Sequence, residues 1–153
     1  MGSTFNLGPD VIYNDYNLAA IPSADYVEAL LGTSISTLQM MADYKVNSLS
    51  DPKLEQPSSA NNYNAGKIIY VNGNAKIDSS VFPGGPTKQF GTSAVPTILI
   101  VKGDLDMSAN FDFYGIIIAN NVVGASGTSI VTGSVITNNV NNVSGNLTIL
   151  YLS

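Results

Sequence analysis

The 153-residue chain has no cysteine, no histidine and no tryptophan, and its six basic residues are all lysines. Without Cys and His, zinc sites of the Cys/His kind, histidine general acids and bases, and histidine-based triads are excluded. The redox compartment stays open, since zero cysteines neither require nor forbid an oxidising one. With no arginine and a net charge of −5, the chain lacks the dense basic patch that nucleic acid demands, so no nucleic-acid partner is expected. Charged residues make up only 11% of the chain, whereas Asn, Ser, Thr and Gly are abundant, a balance that suits many bacterial surface proteins. No apolar run reaches the roughly eighteen residues of a membrane-spanning helix. Met1-Gly2-Ser3 reads as a cloning remnant, so a signal peptide or membrane anchor is expected to have lain upstream. The length suits one compact domain, which would bury roughly 70% of its unfolded surface.

What is present is a rhythm of six. From Thr97 to Tyr151, steps of six residues from Gly103 reach Ala109, Gly115, Asn121, Gly127, Gly133, Asn139 and Gly145. Two and four places before these positions stand mostly apolar residues, such as Leu99/Val101, Leu105/Met107, Phe111/Phe113, Ile117/Ala119 and Val123/Ala125. At eighteen residues whole words recur, as in Ser126-Gly127-Thr128 and Ser144-Gly145-Asn146. Short-period self-similarity marks a solenoid. Alternate strand residues face opposite ways, so each hexad gives an in-out-in side and then a turn, where Gly or Asn tolerates positive φ. Three sides close a triangle, and successive coils stack about 4.8 Å apart. The expected fold is mainly β: a triangular β-solenoid, a right-handed β-helix of eighteen-residue coils, with Gly73 as a further corner. Asn120 over Asn138 and Asn121 over Asn139 should form amide ladders.

Upstream, Lys67–Ile77 aligns with Thr97–Met107 at an offset of thirty residues. The solenoid is therefore expected over 67–153, with a loop inserted near 82–92 where Pro83, Gly84, Gly85 and Pro86 break any strand. Residues 4–66 form an N-terminal segment. Val11–Leu18 is a poor strand candidate. Ser23 can cap a helix near 24–31 that Gly32 stops, and Thr33 or Ser34 can cap a second near 35–47 carrying Ile35, Leu38, Met41, Ala42 and Val46. A polar loop follows over 47–66.

The outward residues separate three sides. One presents Ile68, Tyr70, Ile98, Ile100, Ile116, Ile118, Ser134 and Ile136, a stripe too apolar to face water. The second presents Asn74/Lys76, Asp104/Asp106, Val122/Gly124 and Val140/Asn142, and the third Asn110/Asp112, Thr128/Ile130 and Asn146/Thr148. The helical segment is expected to pack on the first side, through Leu30, Leu38 or Met41 against Ile98, Ile100 or Ile116. Should it lie elsewhere, the stripe becomes an assembly interface. Ser129 and Asn141 are the odd inward residues, and either the last coil should distort at Asn141 or Asn141 should bond a corner backbone group.

No reaction is legible, and the chain is expected not to be an enzyme. Asp104, Asp106 and Asp112 could cleave a glycan only as a paired-carboxylate site, yet no aromatic platform surrounds them and Lys76 should neutralise Asp106. Hexapeptide acyltransferases coil in eighteen residues but use a His base. Calcium solenoids need a Gly-rich nonapeptide, and ice binding wants a Thr-x-Thr ladder. No cofactor and no metal are expected.

The run Val95–Ser108, followed by Phe111-Asp-Phe-Tyr-Gly-Ile-Ile-Ile, resembles the C-terminal solenoid of PilX-type pilus-assembly proteins. Gly66-Lys-Ile-Ile-Tyr-Val-Asn-Gly-Asn and Ser144-Gly-Asn-Leu-Thr-Ile-Leu-Tyr fit the same pattern. The resemblance covers roughly Gly66 to Ser153. It implies a structural or adhesive, extracytoplasmic domain of a type IV pilus-associated, minor pilin-like protein, whose partners are other pilus components. The family's hydrophobic N-terminal helix is missing, in keeping with a soluble fragment of a membrane-anchored protein. A second resemblance, in coil length, is to bactofilin-like proteins, which implies self-association through solenoid ends.

Overall fold

The computed structural model describes residues 26–54, 64–78, 81, 88–141 and 144–150; the strand expected at Val11–Leu18 lies outside them. Among the described residues two short helices come first, α1 (Tyr26–Leu31) and α2 (Ile35–Met41). Gly32 ends α1 at φ 67°, with its N–H bonded to the Glu28 carbonyl. Ser34 caps α2, its hydroxyl accepting from the Thr37 N–H at 3.2 Å.

The second helix is shorter than 35–47. Ala42 turns extended at ψ 128°, and Tyr44–Val46 form a strand, β1. Parallel pairing with β2 (Ile68–Val71) overrides the helical spacing there, because it buries Val46 beneath the sheet core. The polar stretch after it is not a plain loop either. Leu49 and Leu54 are almost fully buried in the same core, and the Asn64 carbonyl accepts from the buried Thr97 hydroxyl at 2.7 Å.

The rest is strand: β3 (Ala75–Ile77), β4 (Gln89–Phe90), β5 (Thr97–Met107), β6 (Phe111–Ala125), β7 (Thr128–Val140) and β8 (Asn146–Leu150). The molecule is mainly β, with few helices and one eight-stranded, open sheet in the order β1-β2-β5-β6-β7-β8; β3 also pairs with β5, and β4 with β6. Every pairing is parallel. β2 and β3 meet β5 at the thirty-residue offset, Ile68 opposite Ile98 and Ala75 opposite Leu105. Between β6 and β7, and between β7 and β8, the offset is eighteen throughout: Phe111 opposite Ser129, Ser129 opposite Leu147.

Same-facing residues thus stack in columns. Ile69, Leu99 and Ile117 form one fully buried column; Phe113 and Val131 form another. The expected insertion contains β4, whose Phe90 enters the core 5.4 Å from the Phe113 ring centroid and 6.3 Å from that of Phe111. A buried Phe outweighs a loop's freedom, since such a ring removes about 150–250 Å² from water. Residues 82–87 lie outside the described part.

The register shifts twice. β5 pairs with β6 at eighteen up to Val101 opposite Ala119, at seventeen for Asp104 opposite Asn121 and Leu105 opposite Val122, and at eighteen again from Asp106 opposite Gly124. The irregularity turns Val122 inward, fully buried, and leaves Val123 half-buried, reversing the assignment made from spacing. Asn141 is exposed rather than inward, its N–H bonded to the Val122 carbonyl at 2.7 Å. Ser129 is buried and satisfied, donating to the Ala109 carbonyl at 2.9 Å.

The positions expected as corners are of two kinds. Gly73, Gly115, Gly127 and Gly133 have φ of 98–148°, the region that favours glycine, Gly115 and Gly133 doing so within the long strands β6 and β7. Gly103, Gly145, Asn121 and Asn139 do not share that conformation. At Gly103 and Gly145 close stacking decides instead: a Cβ would overlap the Asn74 amide oxygen or the Gly127 carbonyl. The two asparagines are selected by their side-chain ladder.

Candidate functional site

The apolar outer stripe is the feature the residues single out. Pairing aligns Ile68, Ile98 and Ile116 in one row, continued by Ser134, and Tyr70, Ile100, Ile118 and Ile136 in the next. Their alternation with Ile69, Leu99 and Ile117 puts them on the opposite face from the core. A second apolar cluster forms on that face: Val27 from α1 and Leu38 from α2 are buried with Tyr70, Ile100 and Ile118. Leu31, Ala42, Ile68, Ile98, Ile116 and Ile136 surround them, half-buried. Leu38 meets the stripe as spacing indicated. Leu30 and Met41 do not, being 50% and 62% exposed, because helices this short can bury only one narrow stripe. Val27 takes the place assigned to Leu30.

Cover by the helices is incomplete. A groove of about 280 Å³ remains where α1 and α2 meet the sheet, lined by Val27, Ile35, Ile100, Ile118 and Ile136 and rimmed by Lys102, Asn120, Thr137 and Asn138. Its floor is apolar and its rim polar and sparsely charged, a surface suited to a protein segment with a few apolar side chains.

The rim belongs to a set of amide ladders. Asn138 donates to the Asn120 side-chain oxygen at 2.9 Å, and Asn139 to that of Asn121 at 3.2 Å. Asn121 in turn donates to the Asp104 carboxylate at 2.7 Å, an extension that spacing alone did not indicate. The slip between Val101 and Asp104 brings this carboxylate under Asn121. The Asn74 side chain accepts from the Asp104 N–H, and that of Asn110 from the Thr128 N–H, at 3.0 and 2.7 Å. Asn74 and Asn110 thus supply side-chain acceptors to the backbone N–H groups of Asp104 and Thr128.

The three aspartates are held separately. Asp104 is in the ladder, and Asp106 accepts from the Ser108 hydroxyl and lies against Gly124, where a Cβ would approach to 2.7 Å. Asp112 lies in register between Gln89 and Ile130. Lys76 pairs with Asp78 at 3.7 Å rather than with Asp106, its neighbour in the ladder. Among the described residues no three His, Cys, Asp or Glu side chains gather as a metal site would require. Nor is any helix among them long and apolar enough to cross a membrane.

The chain matches no protein-family model, no curated protein and no solved structure.

Proposed function

We propose that the parallel sheet is the wall of a β-solenoid, a triangular right-handed β-helix of eighteen-residue coils. On this reading the chain is the exposed, non-catalytic part of a type IV pilus-associated, minor pilin-like protein with a structural or adhesive role at the bacterial surface. The observation that supports this most is the constant eighteen-residue register running from β6 through β7 to β8. Coils that repeat in register give a stiff body whose outer faces can differ, which suits a part that positions surfaces better than one that performs a reaction. Aspartates engaged one at a time, with no histidine or cysteine, favour the same side. The groove beside Ile136 is the place where a pilus component would dock.

The test uses the source bacterium. Antibodies raised against the 153-residue chain should label a sheared pilus fraction, and the full open reading frame should place a pilin-like apolar helix upstream. Antigen confined to the cytoplasm, with no such helix encoded, would overturn the proposal.

A bactofilin-like polymer is a second reading, favoured by the unpaired outer edge of β8 among the described residues. Filaments need two competent ends, so electron microscopy of concentrated protein decides it.

A further inference from the structure

The two open edges of the sheet differ in chemistry. β1 has three residues, and Asp43, Lys45, Asp51 and Lys53 stand in and around it. Asp43 also accepts the Ile68 N–H at 2.8 Å, while Leu49 and Leu54 plug the core beside the strand. β8 has five residues and, among the described residues, pairs only with β7. The Asn146 N–H donates toward β7, to the Gly127 carbonyl at 2.8 Å. Backbone groups alternate sides along a strand, so Leu147 and Ile149 turn their N–H and C=O to the free edge. Val140, Ile149 and Leu150 are about half exposed at this end, at 52%, 44% and 47%. No Asp, Glu, Lys or Arg occurs anywhere after Asp112. Free edges ordinarily carry lysine, proline or another charge that discourages pairing; this one carries none.

We infer that the β8 edge is a self-association surface whose occupant is a second copy of this chain, with β8 lying antiparallel to β8 of the partner about a two-fold axis. Charge selects the partner. Two copies of a chain with net charge −5 repel over most approaches, and the neutral stretch after Asp112 offers contact without that repulsion. Geometry selects the symmetry: an isologous pairing needs only one kind of edge, used twice. The β1 end, three residues long and set among Asp43, Lys45, Asp51 and Lys53, is a poor receiver for β8, so on this inference association closes at two copies. This stands on the sheet edge alone and needs neither the pilus assignment nor a closed triangle. A five-residue edge covers much less than the ~800 Å² per partner of stable complexes, so the dissociation constant should be weak, on the order of 0.1–1 mM.

Sedimentation velocity of the 153-residue chain between about 10 μM and about 1 mM tests it over that range. The expected result is a reversible shift from monomer toward dimer with nothing larger. Ile149→Pro removes a free-edge donor without touching a bond to β7, and Thr148→Lys sets like charges facing each other near the two-fold. Each should leave monomer at the top concentration with an unchanged far-UV circular dichroism spectrum. If Ile149→Pro loses the terminal strand, Thr148→Lys carries the test. Lys53→Ala, at the other end, should dimerise as the parent does. A parent that stays monomeric, a dimer that survives Thr148→Lys, or species that grow past two would overturn the inference. A folded monomer would leave the pilus assignment standing, since labelling of the surface fraction decides that separately.

Discussion

The β1 end and the β8 end belong to one sheet, yet one is sealed and the other is not. At the first, Val46, Leu49 and Leu54 are 4%, 1% and 1% exposed under a strand of only three residues. At the second, Ile149 continues the column of Phe113 and Val131, both fully buried, and is itself 44% exposed. The same inward position has opposite surroundings because a stacked layer is buried by the layers on either side of it. Among the described residues, layers in the middle receive two neighbours, β8 receives one, and the β1 end receives a plug built from a different kind of sequence. Stability should therefore be graded along the stack rather than uniform.

The plug is the place to break this contrast with the largest effect. Leu54→Ala, or Leu49→Ala, should cost about 2–5 kcal/mol, the range for a fully buried leucine whose site cannot collapse. Urea unfolding followed by circular dichroism measures it. A loss under about 1 kcal/mol would show that the sealed end is no tighter than the open one.

Those leucines also show where spacing stops being informative. The hexad made the parallel stack, the offset of thirty, the apolar stripe and both asparagine ladders legible, because each depends on a residue's place in a local period. Leu49, Leu54 and Phe90 belong to no period; they sit in stretches dominated by Ser, Asn, Pro and Gly, and only the tertiary core gives them a place. β1 failed for a related reason. Val46 continues the helical spacing of Ile35 and Leu38, but a strand partner twenty-five residues further on, Val71, wins. Val122 and Asp104 moved because a local irregularity in pairing shifts the register by one residue over Asp104 and Leu105 before the offset of eighteen returns. One signal was available and unused: the absence of charge after Asp112 distinguishes the two ends of the stack in the sequence itself.

The stripe supplies an intermediate case, sealed by helices instead of by a plug. Leu38→Ala should cost about 2–3 kcal/mol, less than the plug leucines, since two short helices can shift to fill part of the space. It should also uncover Ile100 and Ile118, so binding of a hydrophobic dye under native conditions should rise. Unchanged dye binding would mean that α2 is not what shields the stripe.

Smaller again is the asparagine ladder, which ties the well-buried β5 and β6 to the more exposed β7. Asn121→Ala removes the donor to Asp104 and the acceptor for Asn139 together, with an expected cost of about 1–2 kcal/mol. Asn139→Ala removes only the outer link, where water can replace it, and should cost less than about 0.5 kcal/mol. Equal losses would put the ladder's strength in the exposed link and reverse the gradient.

The smallest effect is expected at the open end, and it is the one that most directly tests the gradient. Ile149 occupies the same column as Phe113 and Val131, so position in the period alone would assign it a core residue's cost. Its exposure says otherwise: nearly half of the side chain already meets water in the native state, leaving little transfer free energy to lose. Ile149→Ala, measured in dilute protein where no second copy contributes, should change stability by about 0.5–1 kcal/mol, against about 1–3 for Val131→Ala one layer inward. Amide exchange should rank the strands likewise, with β8 exchanging through local fraying while β5 and β6 exchange only on global unfolding. If Ile149→Ala cost as much as Val131→Ala, the terminal layer would be covered in solution, and the contrast between the two ends would vanish.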